Sequence, residues 1–330
     1  MPAGASAPVQ RFLHSRARGE ELVSKLSVHL FGRFSVRRAD QSIDGLVAGK
    51  LRELLTYVLV HRRHAISREA LGALLWEDAG SAQSKKHLRQ TLWQLQAVLD
   101  RLRMEDEPRI LVVEPDWVYV NPASSLWLDV AVFEQAFERT RGIPGDELDG
   151  AGAAVLTEAA DLYHGDLLES CFEDWCLFER ERLQNQYVAM LDKLMAWCQA
   201  MRRYELGLTY GERVLRINRA HERTHRRLMR MRYLDGDRTG AIRQFELCVA
   251  ALDRELRVEP AKETLALFGQ IRDDRLEDRL PASAAPAAST RAAGNALDHL
   301  EHLRSVLLDM RRQAEQGIDA IEVVIKRQSS

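Results

Sequence analysis

The stretch from residue 81 to residue 130 constrains this chain more than any other. Its first part, SAQSKKHLRQTLWQLQAVLDRL, sets Leu88, Leu92, Leu95, Leu99 and Leu102 on one helical stripe that must face a core. Its second part, RILVVEPDWVYVNPASSLWLDV, holds two short β-rich runs, 109–113 and 117–121, around a turn at Glu114-Pro115-Asp116. Proline fixes φ there and aspartate favours the turn. A helix followed by a hairpin is the order of a DNA-reading helix and its wing.

The upstream residues supply the remaining parts. Residues 25–31 (KLSVHLF) and 33–38 alternate apolar and polar around Gly32, which predicts two short antiparallel strands. Residues 50–61 predict an amphipathic helix with Leu51, Leu54, Leu55, Val58 and Leu59 on its buried stripe. Ser67 stands just ahead of a short helix at 68–76, where its hydroxyl is expected to act as the N-cap.

On the third helix, 81–102, Lys86, Gln90, Trp93, Gln94 and Ala97 point away from the leucine stripe, with Lys85 and Arg89 on one flank. Lysine and arginine suit phosphates or guanine edges, and glutamine suits adenine. An exposed tryptophan can cover sugars or thymine methyls. Arg109, Trp117 and Tyr119 of the hairpin would reach phosphates or the adjacent minor groove. The expected DNA-binding set is therefore Lys85, Lys86, Arg89, Gln90, Trp93, Gln94, Arg109 and Trp117. The same residues also fit an ordinary solvated helix face, and Trp117 fits hairpin core.

From about Val130 onward the pattern is almost wholly helical, with segments predicted at 134–141, 152–163 and 173–201. A repeat follows. Tyr204-Glu205-Leu206-Gly207 aligns with Arg238-Thr239-Gly240-Ala241, Val214 with Cys248 and Leu215 with Val249, each pair 34 residues apart. That is the period of a tetratricopeptide-like helical hairpin, with a small residue where paired helices cross closely. Residues 281–296 are rich in Ala, Pro, Ser and Gly and read as a linker. Beyond them Leu300, Leu303, Leu307, Met310, Ala314, Gly317, Ile321 and Val324 keep the 3,4 spacing of a heptad seam. This helix, 297–330, is expected either to self-associate or to pack back on the helical domain.

A chain of 330 residues is long enough for two domains with separate cores, and 46% hydrophobic with 29% charged residues is ordinary for a soluble globular protein. No apolar run approaches a membrane span of about 18 residues. Residues 1–24 lack the apolar core of a secretory signal and read as a flexible tail. With four cysteines in no zinc-ligand spacing, the expectation is a cytoplasmic protein with no membrane partner.

Net charge is −2, which speaks against wholesale coating of nucleic acid. The balance is uneven, however. Residues 25–130 hold 15 Lys/Arg against 13 Asp/Glu, or +2, whereas 131–280 hold 23 against 28, or −5. A DNA module joined to an acidic partner domain has that sign.

Searching for catalytic constellations returns one match. His221-Glu222-Arg223-Thr224-His225 fits H-E-x-x-H, whose two histidines share a helix face. A zinc enzyme needs a third ligand and a cleft, and Arg219, Arg223, Arg226 and Arg227 would repel a dication. No Gly-rich phosphate loop, nucleophile elbow or kinase signature accompanies it. The expectation is no enzyme, no cofactor and no metal.

Residues 25–280 resemble the Streptomyces antibiotic regulatory protein family. The likeness rests on Gly49-Lys50-Leu51-Arg52-Glu53-Leu54-Leu55, Ile66-Ser67-Arg68-Glu69-Ala70-Leu71, Leu74-Leu75-Trp76 and the helix from Leu88 to Leu99. It continues through Tyr163-His164-Gly165-Asp166-Leu167-Leu168, Trp175 with Glu179-Arg180-Glu181-Arg182-Leu183, and Leu228-Met229. Its last part runs from Leu234-Asp235-Gly236-Asp237 through Ala241 to Glu255-Leu256 and Glu259-Pro260.

The resemblance implies an OmpR-type winged helix at 25–130 joined to a tetratricopeptide-like bacterial transcriptional activation domain at 131–280. The overall class is then mainly α with a small β-sheet, closed by a C-terminal helix. It further implies double-stranded promoter DNA with direct repeats and RNA polymerase as partners. Protomers would sit side by side or as a homodimer, and a protein or small-molecule signal could act at the helical domain. The chain departs from the family at Trp93-Gln94-Leu95-Gln96-Ala97, where relatives often carry Ser-Arg-Leu-Arg-Arg. Three potential phosphate contacts are thereby missing. The other implied reading is a helical-repeat scaffold for proteins with a degenerate winged helix.

Overall fold

Alternation in the first segment gives two antiparallel strands, β1 (Leu26–His29) and β2 (Ser35–Arg38), with Leu26, Val28 and Val36 turned inward. The computed structural model describes residues 26–38, 41–43, 46 and 49–276. The tail at 1–24, the linker at 281–296 and the heptad helix at 297–330 lie outside the described residues. Two further strands extend the pair. One is β3 (Gln41–Ser42) on β2; the other is β7 (Leu126–Leu128), which runs parallel to β1, so the order is β3-β2-β1-β7.

Next come helix α1 (Gly49–Val60), strand β4 (Ile66–Ser67), helix α2 (Arg68–Leu75) and helix α3 (Ser81–Leu102). The hairpin β5 (Leu111–Val113) and β6 (Trp117–Val120) joins β4 in a second sheet of order β4-β6-β5. This is a winged helix-turn-helix. Expected boundaries hold within two residues for these helices, and α3 matches end to end. Ser67 differs: it makes no side-chain cap and instead pairs with Trp117 in the wing sheet. The first free N–H of α2, that of Arg68, donates to the Asp116 carbonyl at 2.9 Å, so no hydroxyl is needed there.

Leu88, Leu92, Leu95 and Leu99 of α3 are buried as a seam, in a helix that packs on α1 and α2, with Leu99 reaching Leu26, Val28 and Val36 of the sheet, while Leu102 is only half-buried. Each buried leucine contributes about 2 kcal/mol relative to exposure. The far end of α3 is tied to β2, where the Arg38 guanidinium donates to the Leu102 carbonyl and to Glu107 at 2.7 and 2.8 Å. These links fix the pose of α3 on the rest of the domain.

The helical half comprises α4 (Asp129–Arg139), a 3-10 turn at Gly145–Glu147, α5 (Gly150–Leu162), α6 (Asp174–Ala200), α7 (Tyr204–Ile217), α8 (Glu222–Leu234), α9 (Arg238–Leu256) and α10 (Lys262–Arg272). The 34-residue offset is real in space, because Tyr204 and Arg238 each open a helix. Gly207 is the close crossing on the first copy: a Cβ there would stand 2.6 Å from Met231 Sδ. Val214 and Cys248 are both fully buried, but Leu215 is half-buried and Val249 exposed, so that aligned pair is not equivalent.

The length allows two separate cores, but the apolar packing is shared between the two halves. One continuous apolar cluster runs from Leu26 to Met231, because β1 leads directly into the helical half, and a small second one joins Ala220, Cys248 and Leu252. Phe31 bridges to Leu167 in backbone register and packs its ring on Phe133 and Tyr163 at 5.0 and 4.9 Å. Asp129, fully buried at the start of α4, accepts from the N–H groups of Leu30 (2.8 Å), Phe31 (2.9 Å) and Val130 (2.7 Å). Burial pushes its carboxyl up to about 6 against the pull of those three donors.

Buried Glu134 on α4 forms a second tie between the halves. It accepts from Arg62, just past α1, and from Arg182 on α6. Burial alone would raise its carboxyl; the two guanidinium groups outweigh that and hold it below the ordinary range.

Candidate nucleic-acid interface

The leucine seam decides which way α3 faces. Gly72 of α2 lies against Ser84, and Trp76 stacks on His87 at a centroid distance of 5.9 Å, so α2 covers one flank near the start of α3. With Ser84, Leu88, Thr91, Leu92, Leu95 and Leu99 buried, the opposite face carries Lys86, Arg89, Gln90 and Trp93, all exposed. Their i, i+3, i+4, i+7 spacing puts them in one row. Trp93 is 70% exposed, a large apolar ring left in water on an otherwise polar face.

Arg68, the first residue of α2, fixes the wing beside that row. Its guanidinium donates to the carbonyls of Glu114 (3.1 Å) and Pro115 (3.3 Å), in addition to its backbone bond to Asp116. The turn itself closes by the Glu114 N–H donating to the Trp117 carbonyl at 2.9 Å, and the Tyr119 hydroxyl donates to the Glu114 carboxylate at 3.0 Å. Between the pinned turn and the first half of α3 lies an open cleft of about 510 Å³, with Arg68, Lys85, Lys86 and Arg89 along it and Glu69 and Asp116 as its acids.

The eight expected residues therefore divide. Lys85, Lys86 and Arg89 line the cleft, and Gln90 and Trp93 continue the row along α3. Gln94 turns partly inward and is only half-exposed. Trp117, 46% exposed, stands at the base of the wing turn opposite Ser67. Arg109 does not join them. It precedes β5, which starts at Leu111 rather than at residue 109, and it pairs with Asp100 at 3.2 Å. Asp100 is 15 residues along α3 from Lys85, about 22 Å at 1.5 Å per residue.

Lys85 is paired as well, with Glu69 at 3.1 Å. Both ion pairs are well exposed, so each holds by less than about 1 kcal/mol and yields readily to a phosphate. Arg68 is the residue that sequence reasoning missed. Its role depends on a carbonyl cluster 46 residues downstream, and no local pattern marks that.

The H-E-x-x-H residues serve packing. His225 is buried, with Nε2 on the Arg219 carbonyl at 2.8 Å and Nδ1 on Gln244 at 2.8 Å. His221 Nδ1 meets the Thr224 hydroxyl at 2.7 Å. Glu222 accepts from the Ala261 N–H at 2.8 Å and from Thr264, closing the start of α10. Burial holds both histidines below their ordinary pKa. Among the described residues no cluster of three or more potential ligands could hold a metal, and no helix is long and apolar enough to cross a membrane.

Comparison with known proteins adds three findings. Residues 128–272 match the family described as bacterial transcriptional activator domain. The fold superposes with a TM-score of 0.57 on EmbR of Mycobacterium tuberculosis, a structure solved in complex with a low-affinity phosphopeptide. The identity is 18%, and the match covers 83% of this chain and 71% of that one. No curated protein sequence matches the chain.

Proposed function

We propose that this chain, which carries a bacterial transcriptional activator domain at residues 128–272, is a transcriptional activator that reads direct repeats in promoter DNA and holds RNA polymerase there. The activator domain at residues 128–272 and the fold shared with EmbR support the resemblance to the Streptomyces antibiotic regulatory protein family, whose members regulate transcription. In this reading α3 enters the major groove. Lys86 and Arg89 take phosphates or guanine edges, Gln90 takes an adenine, and Trp93 covers sugar or thymine methyl. Lys85 leaves Glu69 for a phosphate, and the wing turn held by Arg68 follows the backbone beside it.

The observation that carries the reading is the single exposed row of Lys86, Arg89, Gln90 and Trp93 next to a wing turn fixed in place. Activation then requires no chemistry. An added 1.4 kcal/mol or so of polymerase binding raises promoter occupancy about tenfold. Residues 25–130 do the reading, and the helical part, 131–280, presents the polymerase contact.

The alternative is a protein-binding scaffold whose winged helix no longer holds DNA; the pairing of Lys85 and Arg109 with acids favours it. Selection from a random-sequence duplex pool, followed by footprinting on the recovered sites, separates the two. Enrichment of a repeated motif spaced by whole helical turns supports the activator. A pool that never departs from random over successive rounds establishes the scaffold instead.

A further inference from the structure

The start of α6 presents an apolar stripe to water. Leu177 and Phe178 stand on one side of its first turns, with Asp174 one turn before them and Glu181 one turn after. Here that face points outward. Phe178 is 73% exposed and Leu177 42%, and Phe172, two residues before the helix, is 79% exposed. The inward face of the same turns is already satisfied: Cys176 is fully buried and Trp175 packs edge-on against Tyr57 of α1 at 5.0 Å.

The exposed charges that flank these three side chains along the chain are acidic. Glu169, Glu173, Asp174 and Glu181 are exposed, and the nearest cation in sequence, Arg180, is turned inward. Its guanidinium donates to the carbonyls of Leu167 (3.1 Å), Leu168 (2.9 Å) and Cys171 (2.9 Å), which braces the loop that carries Phe172. An apolar centre ringed by carboxylates repels DNA and complements a protein surface in which lysines or arginines surround an aliphatic or aromatic anchor.

We infer that Phe172, Leu177 and Phe178, with their four acidic neighbours, form the face by which this activator docks a basic, apolar-anchored surface of RNA polymerase. The inference rests on the polymerase-holding reading above and names the surface that reading requires. Aromatic side chains at the centre with charge at the rim are the usual distribution of binding energy in an interface. The face belongs to the same packed core as the DNA-reading helix, so a partner held on it is placed relative to bound DNA by that core.

The experiment is run-off transcription from a DNA site recovered by selection, with RNA polymerase holoenzyme of the same bacterium. It compares the full-length protein with Phe172→Ser/Phe178→Ser and, separately, with Glu173→Lys/Asp174→Lys. All the substituted side chains are exposed, and thermal unfolding and binding to the same DNA site are measured on each variant so that stimulation is compared at equal DNA occupancy. Leu247→Ser/Leu265→Ser, on a second exposed apolar area of α9 and α10, serves as the control and leaves stimulation intact. Stimulation falls at least tenfold in both patch variants. Full stimulation by either patch variant, or an equal loss in the control, overturns the inference while leaving the activator reading standing. A DNA-bound parent that fails to stimulate the polymerase at all overturns both.

Discussion

Replacing Lys86 and Arg89 by alanine together gives the most direct test of the α3 surface. Both side chains are exposed and neither anchors the leucine seam, so unfolding free energy should stay within about 0.5 kcal/mol of the parent. Binding should change by much more. Each phosphate contact contributes about 0.9 to the slope of log affinity against log salt, so losing two flattens the slope by about 1.8. Near 0.1 M salt that amounts to about 1.8 decades of affinity, or about 2.5 kcal/mol. Lys85→Ala should cost less than either, because Lys85 must first leave Glu69. By the same logic Glu69→Gln should tighten binding. Fluorescence anisotropy with a labelled duplex at four or five salt concentrations reads all of these slopes. A double variant whose slope matches the parent would show that phosphates are met elsewhere, and α3 would lose its place as the docking helix.

Three further outcomes follow from the groups that join the two halves. Asp129→Asn should lower stability by about 1–3 kcal/mol in urea titrations, since an amide cannot accept from all three N–H groups that meet Asp129. The same variant should also alter the pH dependence. The folded carboxyl titrates at about 6, above its ordinary 3.8, so the parent binds a proton on folding within that window and loses stability as pH rises through it; the variant should lack that loss, and an unchanged profile between pH 4 and 6 contradicts the assignment. Glu134→Ala leaves Arg62 without its carboxylate and Arg182 with Glu179 alone, and should cost about 3 kcal/mol by thermal or chemical unfolding, so a shift under 1 kcal/mol would show that the tie between α1, α4 and α6 matters little. Among the four cysteines, iodoacetamide at neutral pH should modify Cys171 first: a hydrogen bond from the Cys176 thiol brings it down to about 7, while burial pushes Cys198 and Cys248 up to about 11. Peptide mapping that found Cys198 or Cys248 labelled ahead of it would refute that order.

Helix periods and turn chemistry were enough to define much of this protein before any coordinates. The leucines of 81–102 specify both the length of α3 and its buried side, because 3.6-residue periodicity leaves one face for water. The Glu114-Pro115-Asp116 turn and its β-rich flanks specify a hairpin for the same local reason, and the 34-residue offset specifies where α7 and α9 begin. The exposed row of Lys86, Arg89, Gln90 and Trp93 follows directly from that periodicity.

Long-range pairing decided everything else. That Ser67 forms a strand rather than a cap depends on pairing with Trp117 and on the Asp116 carbonyl, 49 residues downstream of Ser67, which no local sequence signal announces. Arg68 gains its role, and Arg109 its distance from the cleft, from the way a hairpin folds back on a helix. The single core arises because Phe31 and the N–H groups around it are met by Asp129 and Leu167, contacts across about a hundred residues or more. Leu177 and Phe178 are apolar enough to be read as core, and only the packing of Trp175 and Cys176 against their neighbours shows that the core lies on the other side. Local torsional and periodic preferences act over a few residues and are written in the sequence. Which donor meets which acceptor, and which apolar face finds a neighbour, depends on the whole chain closing on itself.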